Sequence, residues 1–486
     1  MEKLFFKKLK TLSQHIPLLL LFSLGTQVEC KKSFINDHPD ELFSEITSLE
    51  KKNTLKVPAS GKTRIPKKDK KSWTFVVYMA ADNDLRSFAA RNIKQLAEIG
   101  SNQYINILVH IDIKVAGNNK ITRRYYVEKD KVIHVNANDP LTQQMDSGDP
   151  KTLISCCNWA FNNYPADDYA LILWNHGTGA CDPVRGRVFN PVDLFSFNPL
   201  LKKFELDRTS GFIDLIEGKT TYRGICWDDT TGNYLTNKKL ELALKTITQN
   251  ILKGKKLSIV GFDACLMSMI EVGNLLAPYA DIMCGSQEVE LGTGWDYSKA
   301  LAPFLRGAMN KEELAQNIVT MYAQCYSLIT NDFTQSAINL GSLKELESIV
   351  NNIALLLSEA LQKQSLNSVK KALWLSHSKA HCTSFDEPSY KDIHHFFCNL
   401  QKNLGLFQLI KKEDERIIKN SLNVLLEEGK LAIEKTVLIN RAGKNLSKAK
   451  GLSIYLPETK IHTSYQLTNF ATTNEWYTFL QNYIST

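Results

Sequence analysis

Apolar positions along this chain gather into runs of strand length, separated by stretches with helical spacing. The runs are 74–81 (TFVVYMAA), 105–112 (INILVHID), 169–175 (YALILWN), 256–264 (KLSIVGFDA) and 281–288 (DIMCGSQE). Most are nearly continuous rather than alternating and rich in β-branched residues, which suits strands buried on both faces of a parallel sheet. Helical patterns fill the intervals. One covers 84–100, with Asp82 or Asn83 placed to cap it and Gly100 to stop it; others cover 149–165, 237–252 and 265–279. This alternation predicts a doubly wound α/β/α sandwich with a mostly parallel central sheet over 73–310. From about Lys311 helical patterns dominate, so 311–486 is expected to be largely helical, with one late strand at 451–458 (GLSIYLPE) rejoining the structure.

Two segments break the rhythm. Lysines 3, 7, 8 and 10 lead into IPLLLLFSLG (16–25), an apolar run too short to span a bilayer and ending in small residues. Residues 1–25 therefore read as an export signal cleaved after Gly25. A lipid anchor at Cys30 is the less favoured variant, because Glu29 stands where such sites want a small residue. Residues 26–72 are polar and lysine-rich and read as a linker or pro-segment. The second break is an irregular stretch at 181–222; loops of that length inside a compact domain are usually functional or cleavable.

Composition narrows the function. The 486 residues are 43% hydrophobic and 23% charged, ordinary for a globular protein with a large core. The net charge of +8 is concentrated outside the expected domain: residues 51–71 net +8 and the first ten net +3, leaving −3 for the rest. A nucleic-acid binder usually carries its positive charge on the folded surface, so the charge distribution disfavours that class. No glycine-rich phosphate loop follows a predicted strand, which disfavours nucleotide binding. The ten cysteines are scattered without metal-ligand spacing, and most read as small core residues.

In open parallel sheets, functional groups collect at the carboxyl ends of strands. Two predicted strand ends carry reactive side chains: LILWNHGTG presents His176, and SIVGFDACLMSMIE presents Cys265. Cys265 is expected in the first turn of the following helix, where the dipole favours a thiolate. An imidazole nearby would take the thiol proton and later protonate a leaving amine. The N–H groups of Gly177 and Cys265 would bind a tetrahedral oxyanion. These parts suit acyl transfer through a thioester. A packed thiol and a structural histidine fit the same pattern, and spacing alone does not decide between them.

The segments WTFVVYMAADNDL, YALILWNHGTG, GICWDDTTGNYLT, GFDACLMSMIEV and GSQEVELGTGWDY, with GLSIYLPE and WYTFLQNY near the end, together resemble the clostripain family of cysteine endopeptidases. That family shares a caspase-like fold with gingipains and legumains, and the resemblance spans about 73–483. It implies a catalytic histidine at His176, a nucleophile at Cys265 and cleavage after Arg or Lys. The family's acidic pocket residue falls on Asp263, for which a helix cap is the alternative reading. Trp295 and Asp296 would wall the same pocket. Self-processing in the loop after the histidine would use Arg185 or Arg187, with Lys202, Lys203 and Arg208 as alternatives, and the 51–71 tract is equally cleavable. Cys181 is a second thiol without an assigned role.

No cofactor is required by this reading. Some members of the family depend on calcium, and ADNDL (81–85) and CWDDTTGN (226–233) offer carboxylates and amides, but without the spacing of a dedicated loop. They read as turn and capping residues, and Ca2+ stays open. His381, Cys382, His394 and His395 do not make a convincing zinc set. The expected protein is a monomeric, exported cysteine endopeptidase in the periplasm, at the cell surface or secreted, acting on proteins or peptides with basic residues. The alternative is a catalytically silent envelope binding or scaffold protein that keeps the fold.

Overall fold

A computed structural model describes residues 39–50, 70–115, 119–182, 194–207 and 225–485. The expected signal peptide, Cys30 and most of the lysine-rich segment lie outside them. Nine strands form one central sheet: β1 Lys71–Ala81, β2 Ile105–Lys114, β3 Lys120–Glu128, β4 Lys131–His134, β5 Ala166–Trp174, β6 Leu257–Asp263, β7 Ala280–Gly285, β8 Thr334–Asn339 and β9 Val437–Ala442. Their order across the sheet is β9-β8-β7-β6-β5-β1-β2-β3-β4. The five central strands, β7 to β2, run parallel, and antiparallel pairs extend both edges.

The continuous apolar runs are buried on both faces, as a parallel sheet between helical layers requires. Along β1, Val76, Tyr78 and Ala80 enter one core while Phe75, Val77 and Met79 enter the other. Each fully buried side chain of this size contributes roughly 1.5–3 kcal/mol. Helices α2 Arg86–Ile99 and α7 Lys311–Tyr326 cover one face; α3 Pro150–Asn163, α4 Asn237–Thr246, α5 Ile270–Leu276 and α8 Leu343–Lys363 cover the other. Between α5 and α7 lies the short α6, Tyr297–Leu301. Asp149 caps α3 through the Lys151 N–H, and Thr236 caps α4 through the Lys239 N–H.

Three features depart from the sequence reading. Helix α1, Pro39–Glu50, falls inside the stretch read as a linker; it docks through buried Ile46, through Glu45 on Lys94 (2.8 Å) and through Glu50, which accepts from the Tyr125 hydroxyl (2.5 Å). Two apolar contacts, Ile46 and the half-buried Leu49, flanked by charge complementarity hold it, a pattern too short to show as periodicity. A division at residue 310 cuts across the sheet, because β8 and β9 come from the helical C-terminal region. The irregular stretch contains an antiparallel hairpin, Phe195–Asn198 with Lys203–Leu206.

The late strand, Ser453–Tyr455, pairs with Tyr390–Asp392 in a separate two-stranded sheet. Its Ser453 N–H also donates to Ser268 O at 3.0 Å, which ties the C-terminal region to the loop after β6. No helix among the described residues is long and apolar enough to cross a membrane.

Candidate active site

The carboxyl ends of β1, β5 and β6 lie side by side. Ladder register sets Trp174 opposite Asp263, and the Asn175 N–H still donates to Asp263 O at 3.2 Å. Two residues beyond each of these ladder partners come His176 and Cys265. Both line one small cavity, together with Leu85, Asp263, Glu290 and Leu291. Gly177 makes the approach of the two loops feasible: a Cβ there would lie 2.4 Å from the Cys265 carbonyl oxygen.

The turn carrying Cys265 is tight. Leu266 adopts φ 62°, a left-handed conformation that costs a branched residue about 1–2 kcal/mol. Surrounding contacts hold it there. Leu266 N–H donates to Glu288 O (3.2 Å), Ser268 N–H to Ser286 O (2.9 Å), and the Ser268 hydroxyl to Gly451 O (2.8 Å). Helix α5 starts only at Ile270, so Cys265 sits on the connecting loop and not in a first helical turn. The dipole argument for a lowered thiol pKa therefore fails. Burial pushes the Cys265 thiol up, against the opposing hydrogen bond from the Glu290 N–H to Sγ (3.2 Å). Cys265 is 5% exposed and His176 1%. The cavity they line is small, about 20 Å³, on the order of one water molecule. His176 Nε2 lies 2.7 Å from Asp84 Oδ1 on the loop after β1.

Asp263 lines the same cavity, and each oxygen accepts one hydrogen bond: Oδ1 from the Trp295 N–H (3.0 Å) and Oδ2 from the Tyr297 hydroxyl (2.7 Å). Burial raises its pKa to about 6, although both hydrogen bonds oppose that. Gly294 packs on it so closely that a Cβ would lie 2.6 Å from Oδ1. Glu290 shares the cavity as a second buried carboxyl, pushed well up by burial and then by its neighbour Asp263. Glu290 Oε2 and Gln335 Oε1 have no donor among the described residues. Two carboxyls this close resist double ionisation until a cation arrives.

The profile of the clostripain family matches residues 77–187 and 210–483. The chain belongs to the clostripain family. Clostripain from Hathewaya histolytica is 23% identical over 495 residues, covering 92% of this chain and 86% of that protein. Solved structures similar to this chain include two C11 proteases. One is a secreted C11 cysteine protease from Bacteroides thetaiotaomicron in complex with an irreversible peptide inhibitor (TM-score 0.52, 19% identity, 84% of this chain and 99% of that one). The other is an inactive zymogen C11 protease from Parabacteroides distasonis (TM-score 0.52, 19% identity, 85% and 99%). The fold is thus the caspase-like sandwich, and the protein is a clostripain-family cysteine endopeptidase.

The remaining candidates in this clostripain-family chain separate cleanly. Trp295 is buried beneath Gly261 and meets Asp263 through its backbone N–H, so it supports the cavity and does not line it. Asp296 caps α6, accepting from the Lys299 N–H and pairing with the Lys299 ammonium (3.2 Å); it is not a pocket wall. Cys181 is buried, with its thiol pushed well up by burial. Arg185, Arg187 and Arg208 lie outside the described residues. Lys202 is exposed at the hairpin tip, and Lys203 Nζ donates to Asn331 Oδ1 (2.8 Å).

The two segments considered for calcium do converge, but around a lysine. Lys120 Nζ bonds Asp228, lies 2.9 Å from Asp112 and 3.9 Å from Asp82. Its ammonium occupies the centre of the carboxylates, so this cluster does not fit a calcium ion. His381, His394, His395 and Cys382 engage Ser378, Cys398, Thr383 and the Asp392 carbonyl respectively, and do not converge on a common point.

Sequence reasoning missed Glu290 and Asp84. Both stood in segments already singled out, in GSQEVELGTGWDY and ADNDL, and were passed over because their partners are distant in the chain.

Proposed function

We propose that this chain is an exported endopeptidase that cleaves after Arg or Lys through His176 and Cys265, and that it is made as a closed precursor. The observation that carries the specificity is the pair of buried carboxyls, Asp263 and Glu290, in the same cavity as the thiol and the imidazole. A guanidinium or ammonium entering there would meet both carboxyls, and its donors would satisfy Glu290 Oε2. The Cys265 thiolate attacks the scissile carbonyl, backbone N–H groups of Gly177 and Cys265 receive the oxyanion, and the His176 imidazolium protonates the leaving amine. Water then hydrolyses the thioester.

The burial of both reactive groups supports the precursor reading: with Cys265 5% and His176 1% exposed, a substrate would reach them only after the surrounding loops move. The leader at 1–25 supports export, and the relatives include proteins described as secreted and as a zymogen. Processing at Arg185 or Arg187 would fall in the loop directly after the histidine.

A fluorogenic peptide with arginine at the cleaved position tests the reading. Asp263→Asn is expected to lower kcat/KM by about 100-fold or more, because a buried partner of the substrate cation is lost. Glu290→Gln should lower it in the same direction. Equal cleavage after alanine would overturn the assignment of the pocket. A pH series adds a second check. Protonated Asp263 does not attract a cation, so KM for arginyl substrates should rise as pH falls through about 6. An acid-side KM that stays flat would show that Asp263 does not face the substrate.

A further inference from the structure

We infer that Asp84 is a third member of the catalytic constellation, a positioning carboxylate that orients His176; this rests on the His176 and Cys265 reading above. Asp84 Oδ1 lies 2.7 Å from His176 Nε2, with the imidazole 1% and the Asp84 side chain 14% exposed. A carboxylate at that distance accepts the Nε2 proton and so fixes both the tautomer and the plane of the ring. With Nε2 committed to Asp84, proton exchange with Cys265 runs through Nδ1.

Two loops are locked together around this contact, one residue away on each side. Asn83, before Asp84, donates through Nδ2 to Ala80 O (2.8 Å) and Trp227 O (3.0 Å), and its Oδ1 accepts the Leu85 N–H (3.0 Å). Asn175, before His176, donates through Nδ2 to the same Ala80 O (2.6 Å), and its Oδ1 accepts the Trp227 N–H (2.9 Å). Two asparagines thus grip the same two backbone sites, Ala80 and Trp227. Asp82 completes the frame, accepting the Asp229 N–H at its carbonyl (2.8 Å) and the Thr230 N–H at Oδ2 (3.2 Å). A carboxylate on a loop held this firmly is pre-organised for the imidazole, which is the condition for a positioning group to accelerate chemistry.

The proton inventory follows. In acylation the Cys265 proton moves to His176 Nδ1, the Sγ–C bond forms, and the imidazolium, stabilised by Asp84, gives the Nδ1 proton to the amine as the C–N bond breaks. In deacylation Nδ1 takes a proton from water and returns it to sulfur as the thioester opens. Asp84 keeps its charge throughout. The other acids at the cavity, Asp263 and Glu290, face the pocket with Cys265, whereas Asp84 approaches from the loop after β1.

The test uses the full chain, with wild type, Asp84→Ala, Asp84→Asn and Cys265→Ala activated identically by limiting trypsin that is then quenched. The expected result for Asp84→Ala is a kcat about 100-fold lower with KM within about threefold, since a group acting only on the ring does not touch ground-state substrate. The alkaline limb of its pH–rate profile should move to lower pH, because the imidazolium has lost its neighbouring anion. Asp84→Asn preserves shape and an acceptor; it should recover part of kcat while keeping the displaced limb. That pattern is one a merely structural role would not produce, and it stands even if Asp84→Ala does not fold. Asp84→Asn with wild-type kcat and an unmoved alkaline limb overturns the inference. If wild type itself is no more active than Cys265→Ala, it is the dyad reading that fails.

Discussion

Cys265→Ala is expected to abolish arginyl-peptide hydrolysis and to leave the exported chain uncut in the loop after His176, with the fold intact. Loss of the nucleophile in a covalent mechanism typically costs about 10⁵-fold or more in kcat. The structural cost is small. Sγ accepts from the Glu290 N–H and makes a long, weak contact to the Glu290 carbonyl oxygen (3.8 Å), and losing them should cost about 1 kcal/mol. The thermal midpoint should therefore move little while activity vanishes. Intact-mass measurement of wild type and Cys265→Ala from the same host checks the second half. Identical trimming in both chains would mean that another protease does the cutting.

The order of the main elements, and the placement of His176 and Cys265 at neighbouring strand ends, were legible because they follow from local rules. Five continuous apolar runs mark the parallel strands, and His176 and Cys265 each stand two residues past one end of the β5–β6 ladder. The edge strands were less legible. β3 alternates buried and half-buried residues over its first half and carries Lys120, Arg123 and Arg124, and β9 has no fully buried residue, so neither reads as a continuous apolar run. The helix after β6 was read as starting at Cys265, since ACLMSMIEV is mostly apolar and contains no turn residue such as Gly or Pro. The structure instead spends five residues on a turn through Leu266 before α5 begins. Such a turn is dictated by tertiary contacts with Glu288, Ser286 and Gly451, which no window on the sequence contains. Asp84 and Glu290 were hidden for the same reason: a carboxylate shows its role only when its partner, 92 residues away for Asp84, is placed beside it.

The second large effect is on stability. Lys120→Met is expected to destabilise the protein by about 3–5 kcal/mol, the usual cost of removing one member of a buried ion pair. Lys120 is 6% exposed among Asp82, Asp112 and Asp228, all fully buried. Burial alone would lower the lysine pKa, but Asp112 and Asp228 outweigh it, so the ammonium stays charged. Asp228 is likewise held below its usual range: burial would raise it, but Lys120 and the N–H groups of Thr231 and Ser147 prevail. Burial pushes Asp112 up to about 8 and raises Asp82 as well. The nest therefore works as one ammonium, one carboxylate and two carboxyls reluctant to ionise.

Removing the lysine strands the Asp228 charge in a dry site. The double variant Lys120→Met with Asp228→Asn should be less destabilised than Lys120→Met alone, because no unpaired charge remains. Denaturant midpoints of wild type, Lys120→Met, Asp228→Asn and the double variant measure this. A Lys120→Met chain as stable as wild type would refute the pairing. The sign with pH is fixed by the same shifts. The raised lysine contributes stability below pH 10.5 that is lost as pH climbs through its higher folded value. The lowered Asp228 contributes above about 3.8, lost as pH falls through its folded value. Asp112, raised to about 8, works against the fold as pH rises from about 3.8 to 8.

The most direct test of the central claim, that one thiol and one imidazole work together at the rim of the β5–β6 ladder, is covalent labelling of the activated protein with an arginyl acyloxymethyl ketone, followed by peptide mass spectrometry. The adduct should fall on Cys265 alone, should vanish in His176→Ala, and should form slowly in Asp263→Asn. Labelling of the partly exposed Cys325 or Cys398 instead, or undiminished labelling of Cys265 without His176, would contradict the account.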